Sequence, residues 1–507
     1  MKPWSTSYIV AFMVAALALF PVGVLFSLAS DSTQIFDAYN LEVLANTLLL
    51  MAFTALGAIL IGVPLAVILT YVQLPWKKFW LVLLAAPLAM PSYLGAFTFY
   101  ATFGYSGELN ALTGIETPPF DGLFGASVIM IFYTYPFVLL STRAALSSLD
   151  ASQVYAARTL GMSLLTSLWR IALPRIFNGI AAGALLASLY ALSDFGTPAF
   201  MGLDTFTRVI YVEYNAFGLS QAAMLSLQLL VIVALVLYLE AQVKGSQEPP
   251  GRHLVFWPNK KQLLLIISGM FPIVLFAIVL PLAVFSIWLW RDGFGNFELS
   301  YAWNSAQASL LAAMAAMIIA LPLAHASLKG RAGKFMERII FVGFGIPGIV
   351  MGTALVYIGL QLPFLYQTLG LLVLAYLLRF LPLAIGSIRT ATENLDTSMV
   401  NAARLLGASP QEAFRRVTLP LTMRGVIAGG ALVFLEAMRE LPATLLLGPT
   451  GYETLATYLW RVYEAGYFGL AAIPGLLLIF ISALGLLLML TGERFNDIEF
   501  NKETQIK

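Results

Sequence analysis

Five ionisable side chains stand in or beside stretches otherwise apolar enough to cross a bilayer: Asp194, Arg379, Glu436, Arg439 and Glu440. A charge at such a depth costs about 2.5–3.5 kcal/mol on insertion scales, so residues of this kind face a bundle interior and carry a task. Part of the chain repeats at an offset of 246 residues, which sets Tyr190 against Glu436 and Asp194 against Glu440. Within each pair the residues are four apart and share a helical face. Two such helices facing across the repeat axis would gather three carboxylates and a phenol, an anionic oxygen set suited to a hard cation. A flat organic cation would call for aromatic faces instead. Other roles are open to the same groups. Glu436 and Arg439 are three apart and can neutralise each other. Asp194 and Glu440 precede Gly196 and Pro442, so they could lie at broken helix ends near the surface. Arg379, which stands where the first half has Tyr133, is a candidate partner for one of the carboxylates.

Other chemistry is excluded by what the chain lacks. With no cysteine and two histidines it offers no thiolate ligand, no disulfide and no histidine cluster. No GxxxxGK[ST] phosphate loop occurs, so this chain cradles no nucleotide of its own. No cofactor and no permanent metal site are expected, and no His/Cys/Asp cluster supports an enzyme.

The elements that must position these residues follow from composition. The 507 residues are 60% hydrophobic and 11% charged, with a mean hydropathy of +0.86. A soluble domain carries about 25% charged residues, so the surroundings of most of these side chains must be lipid. A net charge of +2 gives no reason to expect nucleic acid. Apolar runs of spanning length lie near 8–29, 45–71, 79–103, 124–146, 176–201 and 219–239, then near 263–290, 305–328, 336–360, 368–388, 424–447 and 469–490. The first is longer than a signal-peptide core and reads as a retained helix. With both termini cytoplasmic, Lys77, Lys78, Lys260, Lys261, Lys329, Arg331 and Lys334 fall inside, and Arg208, Arg291 and Arg461 outside, as the positive-inside rule requires.

The repeat organises the whole chain. Pro136 to Gly202 aligns without a gap on Pro382 to Gly448, and Asn46 and Pro64 echo Asn304 and Pro322. Each half holds an even number of spans, so the repeats are parallel. The expected fold is an all-α integral membrane protein of about 12 transmembrane helices in two six-helix repeats, 1–245 and 263–507, joined by a polar linker at 246–262. Gly179, Gly183, Gly425 and Gly429 read as helix-packing positions. The polar loops 147–175 and 393–421 are the most informative copies. Asp150 and Asp396 are good N-caps before Ala-Ala-Arg runs. Gly161 and Gly407 then end a helix, and a second short helix is expected to run to Pro174 or Pro420.

In these loops the chain resembles the permease subunits of ABC importers, whose EAA motif reads two alanines, three residues, Gly, nine residues, Ile, any residue, Leu-Pro. The matching residues are Ala156, Ala157, Gly161, Ile171, Leu173 and Pro174, and again Ala402, Ala403, Gly407, Val417, Leu419 and Pro420. The motif's opening glutamate is replaced by Tyr155 and Asn401. The resemblance implies that each loop couples the permease to one copy of a separate ATPase subunit that uses the ATP. It also implies a periplasmic or extracellular solute-binding protein and a place in the bacterial inner membrane. Stretches Ser193–Tyr211 and Met438–Trp460 are further similar to the fused permeases of ferric iron importers, and related fused permeases handle thiamine. Docking of the binding protein is then a third role open to Asp194 and Glu440. An ion-coupled carrier would have no need of duplicated docking loops and would want more intramembrane ionisable groups.

Overall fold

The computed structural model describes residues 6–30, 37–104, 107–118, 120–150, 152–243, 255–295, 297–327, 331–393, 395 and 397–492. Asp396, Lys329 and most of the linker lie outside them. Among the described residues there is no strand, only one isolated bridge between Val72 and Phe256. The first half contains α1 (Thr6–Ala29), α2 (Ala38–Tyr71), α3 (Lys77–Ala85), α4 (Ser92–Phe103), α5 (Gly122–Ser148), α6 (Ser152–Thr159), α7 (164–193), α8 (Gly196–Phe200), α9 (Phe206–Asn215) and α10 (Leu219–Gln242). The second half repeats the series as α11 (Lys260–Asp292), α12 (Leu299–Ser327), α13 (Arg331–Gly345), α14 (Gly348–Gln361), α15 (Leu369–Glu393), α16 (Thr397–Leu405), α17 (410–438), α18 (Pro442–Leu447), α19 (Leu455–Glu464) and α20 (Ala472–Gly492). Each of these helices of the first half has its counterpart ten labels later; only a short α-helix at Glu108–Thr113 has none among the described residues.

Ten of these helices are long and apolar enough to cross a membrane, and twelve crossings result if each bent pair, α3–α4 and α13–α14, counts as one. The bends are 85° and 100°. They fall at Pro91 and Pro347, both extended, because proline cannot continue the preceding helix and starts the next one well. Beyond each bend the helix runs through protein: nearly every residue of α4 and of the first ten of α14 is buried. Exposed Phe12, Leu60, Val231, Leu265, Ile318 and Phe480 lie instead on the spanning helices, where lipid is the solvent.

In each half the centre is a trio, α2–α5–α7 and α12–α15–α17. In α5 and α15, 61% of the most apolar window is buried, against 11% in α11, which places the first two at the middle and the last at the rim. Small residues let the trios close. A Cβ on Gly179 would meet Ala145 and the Ser141 carbonyl, and one on Gly425 would meet Ala391 and the Ser387 carbonyl. The outer helices are exchanged between halves: α1 packs on α12 and α13, and α11 packs on α4. Phe97 of α4 meets Phe285 and Trp288 of α11 and Phe468 at ring distances of 6.2, 5.5 and 5.5 Å. Pieces of both halves therefore share one apolar core.

Asn46 and Asn304 have equivalent structural roles. Asn46 Nδ2 donates to the Asp204 carbonyl (3.2 Å), and Thr47 Oγ1 accepts from the Phe206 N–H (3.1 Å). Asn304 Nδ2 donates to the Glu453 carbonyl (2.9 Å), and Ser305 Oγ accepts from the Leu455 N–H (2.8 Å). Both clamps fix the start of the short helix, α9 or α19, that follows the central cavity.

Candidate functional site

Spans expected to end at 201 and 447 stop earlier. Helix α7 ends at Ser193 and α17 at Met438, and the chain turns into the short buried helices α8 and α18. The turns are stabilised by the two acidic residues at matched places. Asp194 Oδ2 accepts from the Thr197 N–H (2.9 Å) and Glu440 Oε1 from the Ala443 N–H (3.2 Å), each satisfying a free donor at the start of a helix. The i, i+4 expectation thus holds in sequence, but Asp194 and Glu440 sit just past their helices rather than on them.

The structure brings Tyr190, Asp194, Glu436 and Glu440 together with Arg379 and Arg439 around one cavity of about 100 Å³ between the halves. Ser92, Tyr93 and the backbone at Pro91 complete the first half's wall. The carboxylates are not gathered as metal ligands: among the described residues no group of three His, Asp or Glu is placed to hold an ion. Arg379 Nη1 donates to Glu440 Oε1 at 2.7 Å, with the two side chains 15% and 7% exposed. Arg439 forks onto Glu436, with Nε at 3.1 Å from Oε2, and Glu436 stays 30% exposed. Among the described residues no arginine forms an ion pair with Asp194; Ser92 Oγ donates to its Oδ1 at 2.8 Å.

The broken helices account for the difference. Ser92 and Gly348 each follow the proline of a bend. In the first half that residue gives Asp194 a hydroxyl. In the second, a Cβ would run into the Arg379 guanidinium and the Glu440 carboxylate, so glycine makes room for the pair. Sequence reasoning missed Ser92 and Gly348, since their role depends on a bend that hydropathy does not show.

Each hairpin follows the middle helix of its trio, α5 or α15. Asp150 Oδ1 accepts from the Ser152 N–H (3.0 Å) at the start of α6. Helices α6 and α16 end alike: the Gly161 N–H donates to the Arg158 carbonyl and Met162 to Ala157, and the Gly407 N–H donates to Arg404 and Ala408 to Ala403 (3.0–3.1 Å). This closure needs a left-handed residue, and Gly161 and Gly407 have φ of 89° and 92°. Ser163 and Ser409 then cap α7 and α17, which Ser-Pro-Gln-Glu at 409–412 would have signalled. Tyr155 and Asn401 are exposed. Just ahead of the glycines, Leu160 and Leu406 are 86% and 89% exposed, an apolar crest on each hairpin that sequence matching aligned without assigning a role.

One expectation is corrected here. No short helix ends at Pro174 or Pro420. Residues 164–193 and 410–438 are each continuous, and they absorb the proline by widening to π geometry at Leu168–Ala172 and Phe414–Thr418. The Leu419 N–H reaches back five residues to the Phe414 carbonyl. A longer loop of this kind accommodates the hydrogen bond that Pro420 cannot donate. The same step precedes Leu280-Pro281 in α11. Leu173, Pro174, Leu419 and Pro420 therefore join each hairpin rigidly to its spanning helix.

Gly407→Val is expected to cost about 1–2 kcal/mol, the penalty of a left-handed Cβ. Amide hydrogen exchange should quicken across 397–418 and stay unchanged in α12 and α15.

The family model for the binding-protein-dependent transport system inner membrane component matches this chain twice, at residues 58–243 and 310–494. The chain belongs to this family. It is an ABC-type permease carrying two permease repeats, and a multi-pass membrane protein. Among relatives of this permease, the Fe(3+)-transport system permease protein FbpB 2 of Haemophilus influenzae is 30% identical over 466 residues, 88% of this chain and 89% of that one. The probable ABC transporter permease protein y4fN of Sinorhizobium fredii is 26% identical over 86% of this chain and 84% of its own. The molybdate/tungstate transport system permease protein WtpB of Pyrococcus furiosus is 27% identical over 235 residues, 46% of this permease and 89% of its own length.

Proposed function

We propose that this permease imports ferric iron, driven by two copies of a separate ATPase subunit, one on each hairpin. A solute-binding protein delivers the cation at the opposite end. The hairpins and both termini face the cytoplasm of a bacterial cell, and the membrane is the inner one. The chain itself carries out no covalent step. The central cavity is the solute path, and it opens alternately to either side as the halves move.

The observation that carries the reading is the pairing of a fused relative named for Fe(3+) transport, matched over nearly its full length, with a cavity whose wall holds three carboxylates and two phenols. Hard trivalent iron favours such oxygen donors. The half-length molybdate/tungstate relatives and the two cavity arginines favour an oxyanion as a second reading. Both guanidiniums are already engaged by carboxylates, which weakens it.

Asp194→Asn tests the path. Asn keeps the shape and an acceptor for Ser92 or Thr197, and no arginine is stranded. A unit charge removed at contact distance is worth on the order of 4 kcal/mol for each charge on the cation at an effective dielectric near 20. Radio-iron uptake by the reconstituted complex should fall below about a tenth of wild type, with ATPase subunits still bound. Wild-type iron uptake in this variant, or transport of molybdate instead, would overturn the reading.

A further inference from the structure

The cavity is guarded asymmetrically, and one residue does two things there. Arg439 points Nε and Nη2 at Glu436, while its Nη1 donates across the repeat boundary to the Ala89 carbonyl at 2.6 Å. Its own carbonyl accepts from the Tyr93 hydroxyl at 3.3 Å. Ala89 and Tyr93 flank the Pro91 bend of the first half. Arg439 is thus both the counter-ion of a cavity carboxylate and a strap between the two halves. The matching residue of the first half is Ser193, which can do neither.

We propose that Arg439 is a resident counter-cation that the transported cation displaces from Glu436, and that this displacement releases the strap between the repeats. The inference rests on the cation path described above. Three features select Arg439 over Arg379. Glu436 is 30% exposed, whereas Glu440 is 7% exposed and also held by the Ala443 N–H. Arg439 is the first residue beyond α17, so its backbone is not locked by helical hydrogen bonds on both sides. A guanidinium in this site is held by its carboxylate; once a cation takes that carboxylate, the neutral carbonyls of Leu88 (3.4 Å) and Ala89 do not compensate a partly buried charge. Cation arrival and parting of the halves then become one event.

The test uses the full chain in lipid nanodiscs, with Tb3+ as a hard trivalent probe whose luminescence nearby tyrosines sensitise. Because the natural chain has no cysteine, spin labels at Leu112→Cys and Phe364→Cys, one in each half, report their separation without background. Arg439→Gln should bind Tb3+ about tenfold or more tightly than wild type, since the competing charge is gone. Without Tb3+ its label distances should match those of wild type with Tb3+. Arg439→Lys keeps the charge but cannot fork: its Tb3+ affinity should stay near wild type while the halves part. Glu436→Gln with Arg439→Gln should lose the tightened binding. Equal affinity in wild type and Arg439→Gln overturns the exchange, as does an unchanged separation in Arg439→Gln and Arg439→Lys. No Tb3+ binding by any variant removes the cation path and this proposal with it.

Discussion

A permease carrying Leu160→Asp together with Leu406→Asp is expected to purify without its ATPase subunits. Each leucine stands on the crest of a hairpin, 86% and 89% exposed, beside a glycine that fixes the turn. Burying a leucine side chain in a partner's cleft contributes about 1.5–3 kcal/mol, and a carboxylate driven into the same cleft adds a desolvation penalty. Either change alone should leave one competent hairpin, and native mass spectrometry should then find one ATPase subunit per chain in place of two. Surface substitutions of this kind stay within about 0.5 kcal/mol for the fold itself, so the permease should insert and keep its thermal midpoint. Full ATPase occupancy in the double variant would end the docking assignment.

Arg379→Met should have the largest effect on stability. It leaves Glu440, 7% exposed, without its guanidinium, and breaking a buried pair from one side costs about 3–5 kcal/mol. Adding Glu440→Gln should restore most of the loss, because an amide can still accept from the Ala443 N–H without a buried charge. Tyr133→Phe at the matching place in the first half removes only a 3.3 Å hydrogen bond to the Ala277 carbonyl, worth about 0.5–1.5 kcal/mol. Thermal unfolding of the purified chains gives all three values. Equal losses for Arg379→Met and the double variant would show that packing, not charge, holds this wall.

Much of this was legible in the residues. Hydropathy places eight of the ten long spans to within several residues, because a lipid-facing helix must be apolar along its whole length; the two that lead out of the hairpins start and end earlier than expected. The glycine turns of the hairpins could be read because Gly161 and Gly407 recur with the same neighbours. Asp194, Glu436 and Glu440 stood out because charge at membrane depth is rare, and they do share a cavity. What hydropathy cannot show is where an apolar segment folds back. In the run 176–201 Phe195, Ala199, Phe200 and Met201 keep the segment apolar enough to read as one span, so the break made by Asp194, Gly196 and Pro198 does not show as a span end. The pairing of Arg379 with Glu440 depends on how α15 packs against α17 and on an unfilled space at Gly348. Pro174 and Pro420 were misread as helix ends because the π widening that absorbs them leaves no mark in composition.

The lopsided wall of the cavity also bears on why the two repeats share one polypeptide. A cavity on an exact two-fold axis takes every side chain twice, so its formal charge must be an even number. Two first halves would supply two aspartates, and two second halves four glutamates and four arginines. This cavity holds three acids against two guanidiniums, a formal charge of −1, and odd parity is open only to a chain whose halves can differ. Fusion thereby frees the lining to become electrically skewed, with a field that is not centred on the symmetry axis.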